Sequence, residues 1–188
     1  MESPENGGRL SATVRYDVTE SPLGPVWVGV SERGVCDVAL GVPGERQYRN
    51  RLARWAPDAR RDRRAAAGAL GELDAYFAGR LTRFSVPVDL RRVTPFTLRV
   101  LSAAARIAYG CVTSYGEIAR GIGAPTSSRA VGGALGRNPV PIIVPCHRVV
   151  THARRLGGFT GGVAFKRTLL QLEGHDTAGT PAGERLDC

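Results

Sequence analysis

The sequence predicts an α/β protein of the α+β kind: a small N-terminal antiparallel sheet with a helix, then a mostly helical C-terminal part containing a helix-turn-helix. Three observations predict it. Apolar residues alternate with period two in three short runs before residue 41, they recur at helical spacing from residue 65, and strong helix-start signals open the second half at Thr94-Pro95 and Ser114. A chain of 188 residues holds one sizeable domain or two small ones sharing an interface. The expected division is 11–92 as a sheet-and-helix scaffold and 93–175 as the helical part. Residues 1–10 and 176–188 are polar, and read as a flexible N-terminus and a disordered tail.

The elements follow in order. Thr13 to Val18 alternates as a half-buried strand, and after Pro-Leu-Gly-Pro the run Val26 to Val30 makes a second. Glu32-Arg33-Gly34 signals a tight turn into a third strand over Val35 to Leu40, in which Cys36 reads as core packing. The charged segment from Gly44 to Arg64, punctuated by Pro57, suits a short helix and an exposed linker. Leu70, Leu73, Tyr76 and Phe77 then form the apolar stripe of a helix over 65–80 that Gly79 closes, and such a stripe is more often core than a cofactor site. Phe84 to Leu90 is expected as an edge strand, because Pro87 lacks the N–H a central one needs.

In the second half Thr94 caps a helix with Pro95 in its first turn, and Phe96, Val100, Leu101, Ala104 and Ile107 form its buried face. Ser114-Tyr115-Gly116-Glu117 matches a capping box. A short helix follows, then a break at Gly123-Ala124-Pro125, then a helix capped by Thr126 or Ser127 and running to about Arg137. That pair is a helix-turn-helix. Its second helix is slim, with Ser127, Ser128, Ala130, Gly132, Gly133 and Ala134, which permits close backbone approach either to a narrow groove or to another helix.

Charge sharpens the choice. The formal net charge is +9, and between Arg91 and Leu172 Glu117 is the single acid against arginines that include Arg99, Arg106, Arg120, Arg129, Arg137 and Arg148. Such a surface favours an anionic partner, nucleic acid or a membrane surface. The four cysteines, Cys36, Cys111, Cys146 and Cys188, show no spacing of a disulfide framework or a zinc site. No apolar run approaches the roughly 18 residues of a membrane span, and no signal-peptide core is present. The expectation is a soluble cytoplasmic protein that contacts no membrane.

The chemistry gathers at Ile142 to Val150, where Cys146 lies between Pro145 and His147 in an apolar run, placed by its pattern at the end of a buried strand. A histidine that accepts the thiol proton can bring a free cysteine pKa of about 8.5 toward working pH. Yet neighbours in a strand point to opposite faces, so direct contact is doubtful, and a buried packing cysteine weighs equally on this pair alone.

The surroundings break the tie. R-A-V-G-G-A at 129–134, N-P-V-P-I at 138–142, P-C-H-R-V at 145–149, Gly161-Gly162 and L-E-G-H at 172–175 together resemble the O6-alkylguanine-DNA alkyltransferases, from about Thr94 to His175. The resemblance implies a suicidal DNA-repair transferase that needs no cofactor or metal. Its partner would be double-stranded DNA carrying O6-alkylguanine, bound as a monomer with cooperativity left open. By the same resemblance Cys146 is the alkyl acceptor, His147 takes the thiol proton through a water, and Glu173 orients that histidine. Asn138 holds the acceptor turn, and Tyr115 protonates the departing guanine. Arg129 fills the gap left by a flipped nucleotide, in a DNA-facing set with Ser127, Ser128, Ala130, Gly132 and Arg137. Val149, Phe159, Thr160, Pro141 and Lys166 bound the base pocket, and Pro141 suggests tolerance of groups larger than methyl. Some relatives hold the N-terminal half with zinc, for which this chain offers no ligand set. His152 and His175 match no chemical position. Leu101, Cys111, Phe159 and Arg154-Arg155 depart from the family's usual residues and bear on pocket shape.

Three other readings compete. A lesion-binding protein without transfer would lack the acceptor, whereas Cys146 is present. A helix-turn-helix regulator triggered by Cys146 alkylation has no visible sensor or activation domain, and a Cys-His hydrolase needs an acyl intermediate that nothing here suggests.

Overall fold

The computed structural model describes residues 13–152 and 155–175, so the expectations for 1–10, 176–188, Arg154 and Cys188 lie outside the described residues. The fold is mixed α/β, with the sheet in the N-terminal half and helices in the C-terminal half. Strands β1 (Arg15–Thr19), β2 (Val26–Ser31) and β3 (Gly34–Ala39) form the expected antiparallel meander, with Tyr16 opposite Gly29 and Val28 opposite Val38. After α1 (Glu45–Ala53) a two-residue strand β4 (Arg60–Arg61) adds in parallel to β1, giving the order β3-β2-β1-β4. Helix α2 (Arg63–Phe77) starts at Asp62, whose side chain accepts from Ala65 N.

The central strand β2 reads as a near-continuous apolar run because both of its faces are covered. Val26 and Val28 join a core with Leu70, Leu73 and Tyr76 of α2, while Trp27 stacks with Tyr48 of α1 beside Tyr16 and Leu52. Of the two cores the first matters for the site. It continues without interruption through α3 (Pro95–Ala104) by Val100, Leu101 and Ala104, and on to Ile142, Val144 and Cys146. The sheet-and-helix half is therefore a wall of the same interior that holds the cysteine.

The segment 84–90 corrects the sequence expectation. It forms no regular strand. A single parallel bridge joins Val88 to Val35, made by Val35 N donating to Pro87 O and Asp89 N donating to Val35 O, both 2.8 Å. Pro87 has no N–H with which to extend the ladder. Gly34 faces this crossing at φ 128, where a Cβ would collide with the Pro87 carbonyl.

In the C-terminal half, α3 is capped by Thr94 as expected, and α4 (Tyr115–Gly121) opens with a complete capping box. Helix α5 (Ser128–Leu135) follows Ser127, whose side chain makes no capping bond, and ends two residues short of Arg137. Two short strands, β5 (Thr113–Ser114) and β6 (Val149–Val150), pair in parallel, and α6 (Val163–Leu172) closes the fold. Cys146 does not sit at a strand end: Cys146–Arg148 is one turn of 3-10 helix leading into β6. Pro145 starts that turn with its carbonyl accepting from Arg148 N at 3.0 Å. With about three residues per turn, Cys146 and His147 diverge by a third of a turn rather than facing opposite ways.

Candidate active site

The acceptor turn is held by hydrogen bonds on both sides. Asn138, buried after α5, donates from Nδ2 to Val144 O at 2.9 Å and to Cys146 Sγ at 3.1 Å, and accepts from Val140 N at 3.0 Å. Between these contacts Ile142 is forced to φ 75, a conformation a β-branched residue adopts only when its surroundings impose it. The β5–β6 pairing bolts the start of α4 to this turn, with Ser114 opposite Val150. The capping box then fixes the first residue of α4, which is Tyr115: Glu117 N donates to Ser114 Oγ at 3.2 Å, and Ser114 N to Glu117 Oε2 at 2.6 Å.

Behind the turn lies a buried polar network. Glu173, the residue ending α6, receives His147 Nε2 on Oε1 at 2.9 Å, Tyr76 OH on Oε1 at 2.7 Å, and Arg148 through Nη2 and Nε at 2.9 and 2.8 Å. Burial would raise the Glu173 pKa, but the hydrogen bonds from His147 and Arg148 outweigh it and lower it to about 2. An ionised carboxylate only accepts, so the proton of the neutral imidazole must sit on Nε2 and the lone pair on Nδ1. Nδ1 is buried without a hydrogen-bond partner among the described residues. Burial also lowers the His147 pKa, which keeps the ring neutral.

The thiol is not a ready-made thiolate. Burial pushes the Cys146 pKa up to about 11, although the Asn138 hydrogen bond and the Lys166 charge act the other way. A histidine accepting the thiol proton can bring this value down, but at Cys146 desolvation is the largest influence.

Cys146 is 5% exposed, and it lines a cavity of 420 Å³ bounded by Tyr115, Gly132, Leu135, Gly136, Gly158, Phe159 and Thr160. That volume falls within the roughly 300–1,000 Å³ of small-molecule sites. Thr160 Oγ1 donates to Gly136 O at 3.1 Å, and the Phe159 ring stands edge-to-face on His147 at 6.4 Å. Gly157, at φ 64, lies under Tyr115, where a Cβ would come within 3.0 Å of the phenol oxygen. Pro141, Val149 and Lys166 do not line this cavity: all three are buried. Lys166 Nζ donates to Val149 O at 2.6 Å, and burial lowers its pKa to about 8.

A larger groove of 1020 Å³ shares Tyr115, Gly132 and Gly158 with the cavity and adds Ser128, Arg129, Arg120 and His152. Arg129, Ala130 and Arg137 are exposed, and Ser127 is half-buried at the start of α5. The helix-turn-helix groove and the cavity at Cys146 thus share part of their lining. His175, by contrast, is buried with Nε2 lacking a protein partner.

Two members of the network escaped the sequence reading. Arg148 was counted only as part of the basic surface, and Tyr76 as one residue of a core stripe. The position of Arg148 next to His147 was the available signal; for Tyr76, 97 residues before Glu173, none existed. Among the described residues no group of three or more His, Cys, Asp or Glu side chains is placed to hold a metal ion.

The family described as 6-O-methylguanine DNA methyltransferase, DNA binding domain, matches residues 95–175, and its ribonuclease-like domain matches residues 14–90. A methylated-DNA–protein-cysteine methyltransferase of Mycobacterium bovis is 44% identical over 160 residues, covering 85% of this chain and 92% of that relative. One from Methanosarcina acetivorans is 40% identical over 159 residues, covering 85% and 97%. Among solved structures, the Mycobacterium tuberculosis O6-methylguanine methyltransferase has a TM-score of 0.74 at 42% identity, covering 86% of this chain and 93% of that one. The Mycobacterium tuberculosis OGT in complex with DNA has a TM-score of 0.73 at 42% identity, covering 85% and 92%. With both halves matched in order and at these identities, the chain belongs to the methylated-DNA–protein-cysteine methyltransferase family.

Proposed function

We propose that the protein repairs O6-alkylguanine in double-stranded DNA by moving the alkyl group once, and irreversibly, to Cys146. The observation that carries this reading is the place of Cys146 in the lining of a 420 Å³ cavity that shares Tyr115, Gly132 and Gly158 with the Arg129 groove. A base inside a duplex cannot reach such a recess, so the nucleotide swings out, at a cost of a few kcal/mol. Arg129, exposed on α5 beside the shared Gly132, takes the vacated space in the stack, where a guanidinium plane suits both base and phosphate.

In the transfer a Cys146 Sγ lone pair attacks the alkyl carbon, the S–C bond forms, and the C–O6 bond breaks with its electrons passing to guanine. The thiol proton leaves through a bridging water to His147 Nδ1, the nitrogen left without a protein partner. The Tyr115 phenol, at the cavity wall, returns a proton to a ring nitrogen of the guanine, so one proton leaves the thiol and one reaches the product. Glu173 stabilises the imidazolium in between. Because a thioether does not hydrolyse, each molecule acts once. Phe159, Thr160 and Leu135 bound the base, and Lys166 ties Val149 to the loop at Gly158.

The protein works as a monomer on DNA, in the cytoplasm, with residues 93–175 as the DNA-binding and acceptor part. The unbridged Cys36 and Cys146 suit a reducing compartment, and no described helix is long and apolar enough to cross a membrane. Titration with a duplex carrying labelled O6-methylguanine tests the reading. Label on the protein is expected to plateau at one methyl per chain, and Cys146→Ala is expected to bind the duplex and take none. Transfer that continues past one equivalent, or none from the wild-type chain, would overturn it.

A further inference from the structure

The Glu173 carboxylate is reached by a group from the other half of the chain. Tyr76 lies near the end of α2, fully buried, with edge-to-face contacts to Phe77 and Tyr109 and a tilted contact to Phe84. Packing on three sides leaves its hydroxyl one aim. That hydroxyl donates to Glu173 Oε1 at 2.7 Å and stands 3.5 Å from His147 Nε2. The same Oε1 is the acceptor of His147 Nε2–H, so the phenol and the imidazole compete for one oxygen's charge.

We propose that Tyr76 is a positioning residue of the acceptor site, whose hydroxyl draws off part of the Glu173 charge at Oε1 and so sets how strongly His147 binds a second proton. A carboxylate partner stabilises imidazolium, and each further donor on the carboxylate weakens that support. Groups facing His147 from every packed element are accounted for: Glu173 on α6 favours its charge, while Arg148 in the same turn and Lys166 on α6 oppose it. Cys146 adjoins it in the turn, and His175 and Tyr109 sense Glu173 rather than the ring. Among these neighbours Tyr76 alone comes from the N-terminal half. It gives the sheet-and-helix half a part in the reaction that bracing would not supply. The base role of His147 rests on the proposed transfer to Cys146, but its protonation does not.

The test is a pH titration of the His147 ring nitrogens by NMR in the full chain, wild type against Tyr76→Phe, which removes one oxygen from a packed ring. The His147 midpoint is expected to rise by about one pH unit in the variant, and the acid limb of the transfer rate is expected to move up with it. A purely structural role would lower the melting temperature and leave both midpoints where they were. Should Tyr76→Phe not fold, a fluorotyrosine placed at position 76 alone, a stronger donor of the same shape, is expected to shift the midpoint downward. An unchanged midpoint, or a ring that stays neutral over the same range in both proteins, overturns the inference. Absence of transfer by the wild-type chain would instead overturn the functional reading, with the NMR result still deciding the role of Tyr76.

Discussion

At the scale of single residues, side chains that hold the site separate from those that meet DNA. Asn138→Ala would leave Val140 N unpaired in the interior, take from Val144 O one of its two donors, the other being Cys146 N, and release Sγ. Unmade buried hydrogen bonds cost about 1–3 kcal/mol each, so urea unfolding is expected to show a loss of about 2–4 kcal/mol. Arg129 is exposed on the helix surface. Arg129→Ala is therefore expected to change stability by less than about 0.5 kcal/mol. It should slow transfer from duplex DNA by at least about tenfold while leaving reaction with the free methylated base unchanged, because only the duplex must be opened. Equal slowing on both substrates would place Arg129 in the chemistry instead. That Cys146, His147 and Glu173 belong to one site was legible in the sequence through family motifs alone. Spacing could not show that Cys146 and His147 lie on a 3-10 turn instead of a strand end, or that Arg148 grips the same carboxylate.

At the scale of elements, caps and turns place the chemistry. The Ser114 cap fixes the start of α4 and with it the Tyr115 ring, so Ser114→Ala is expected to cost about 0.5–2 kcal/mol and to slow transfer. Gly157→Ala strains a left-handed residue and pushes on the Tyr115 hydroxyl. It is expected to impair transfer more than DNA binding, measured by single-turnover rate against affinity. Local signals such as Thr94-Pro95, the capping box and the alternating strands were read correctly because each is decided within a few residues. Elements decided by distant neighbours were not. The two residues of β4 exist because β1 offers an edge, 84–90 stops at one bridge because of Pro87, and Tyr76 looked like any core tyrosine until α6 was placed beside it.

At the scale of the whole molecule, one interior runs from the sheet to the turn of Cys146, and beside it the Glu173 carboxylate is paired with His147 and Arg148 and accepts a hydrogen bond from Tyr76 of the other half. This gives stability a defined pH dependence. Glu173 is depressed to about 2 in the folded chain against about 4.3 when unfolded, so its contribution is complete above about pH 4.3 and vanishes as pH falls through 2. His147 is depressed below its unfolded value of about 6.5, so the unfolded chain gains a proton first, and stability declines as pH drops below that point. Thermal melts are expected to show a melting temperature that falls steadily from pH 7 to pH 4, and a flat profile would contradict the buried network. The net charge of +9 and the arginine-lined groove make binding electrostatic, so affinity for duplex DNA is expected to fall by orders of magnitude as salt rises from about 50 to 200 mM. The central claim concerns where one carbon atom ends. After reaction with a duplex carrying one O6-methylguanine, peptide mass spectrometry is expected to find a single added methyl on the Cys146 peptide and none on those of Cys36 and Cys111. A methyl on any other residue, or an unmodified Cys146 in a chain that has cleared the lesion, would contradict the account.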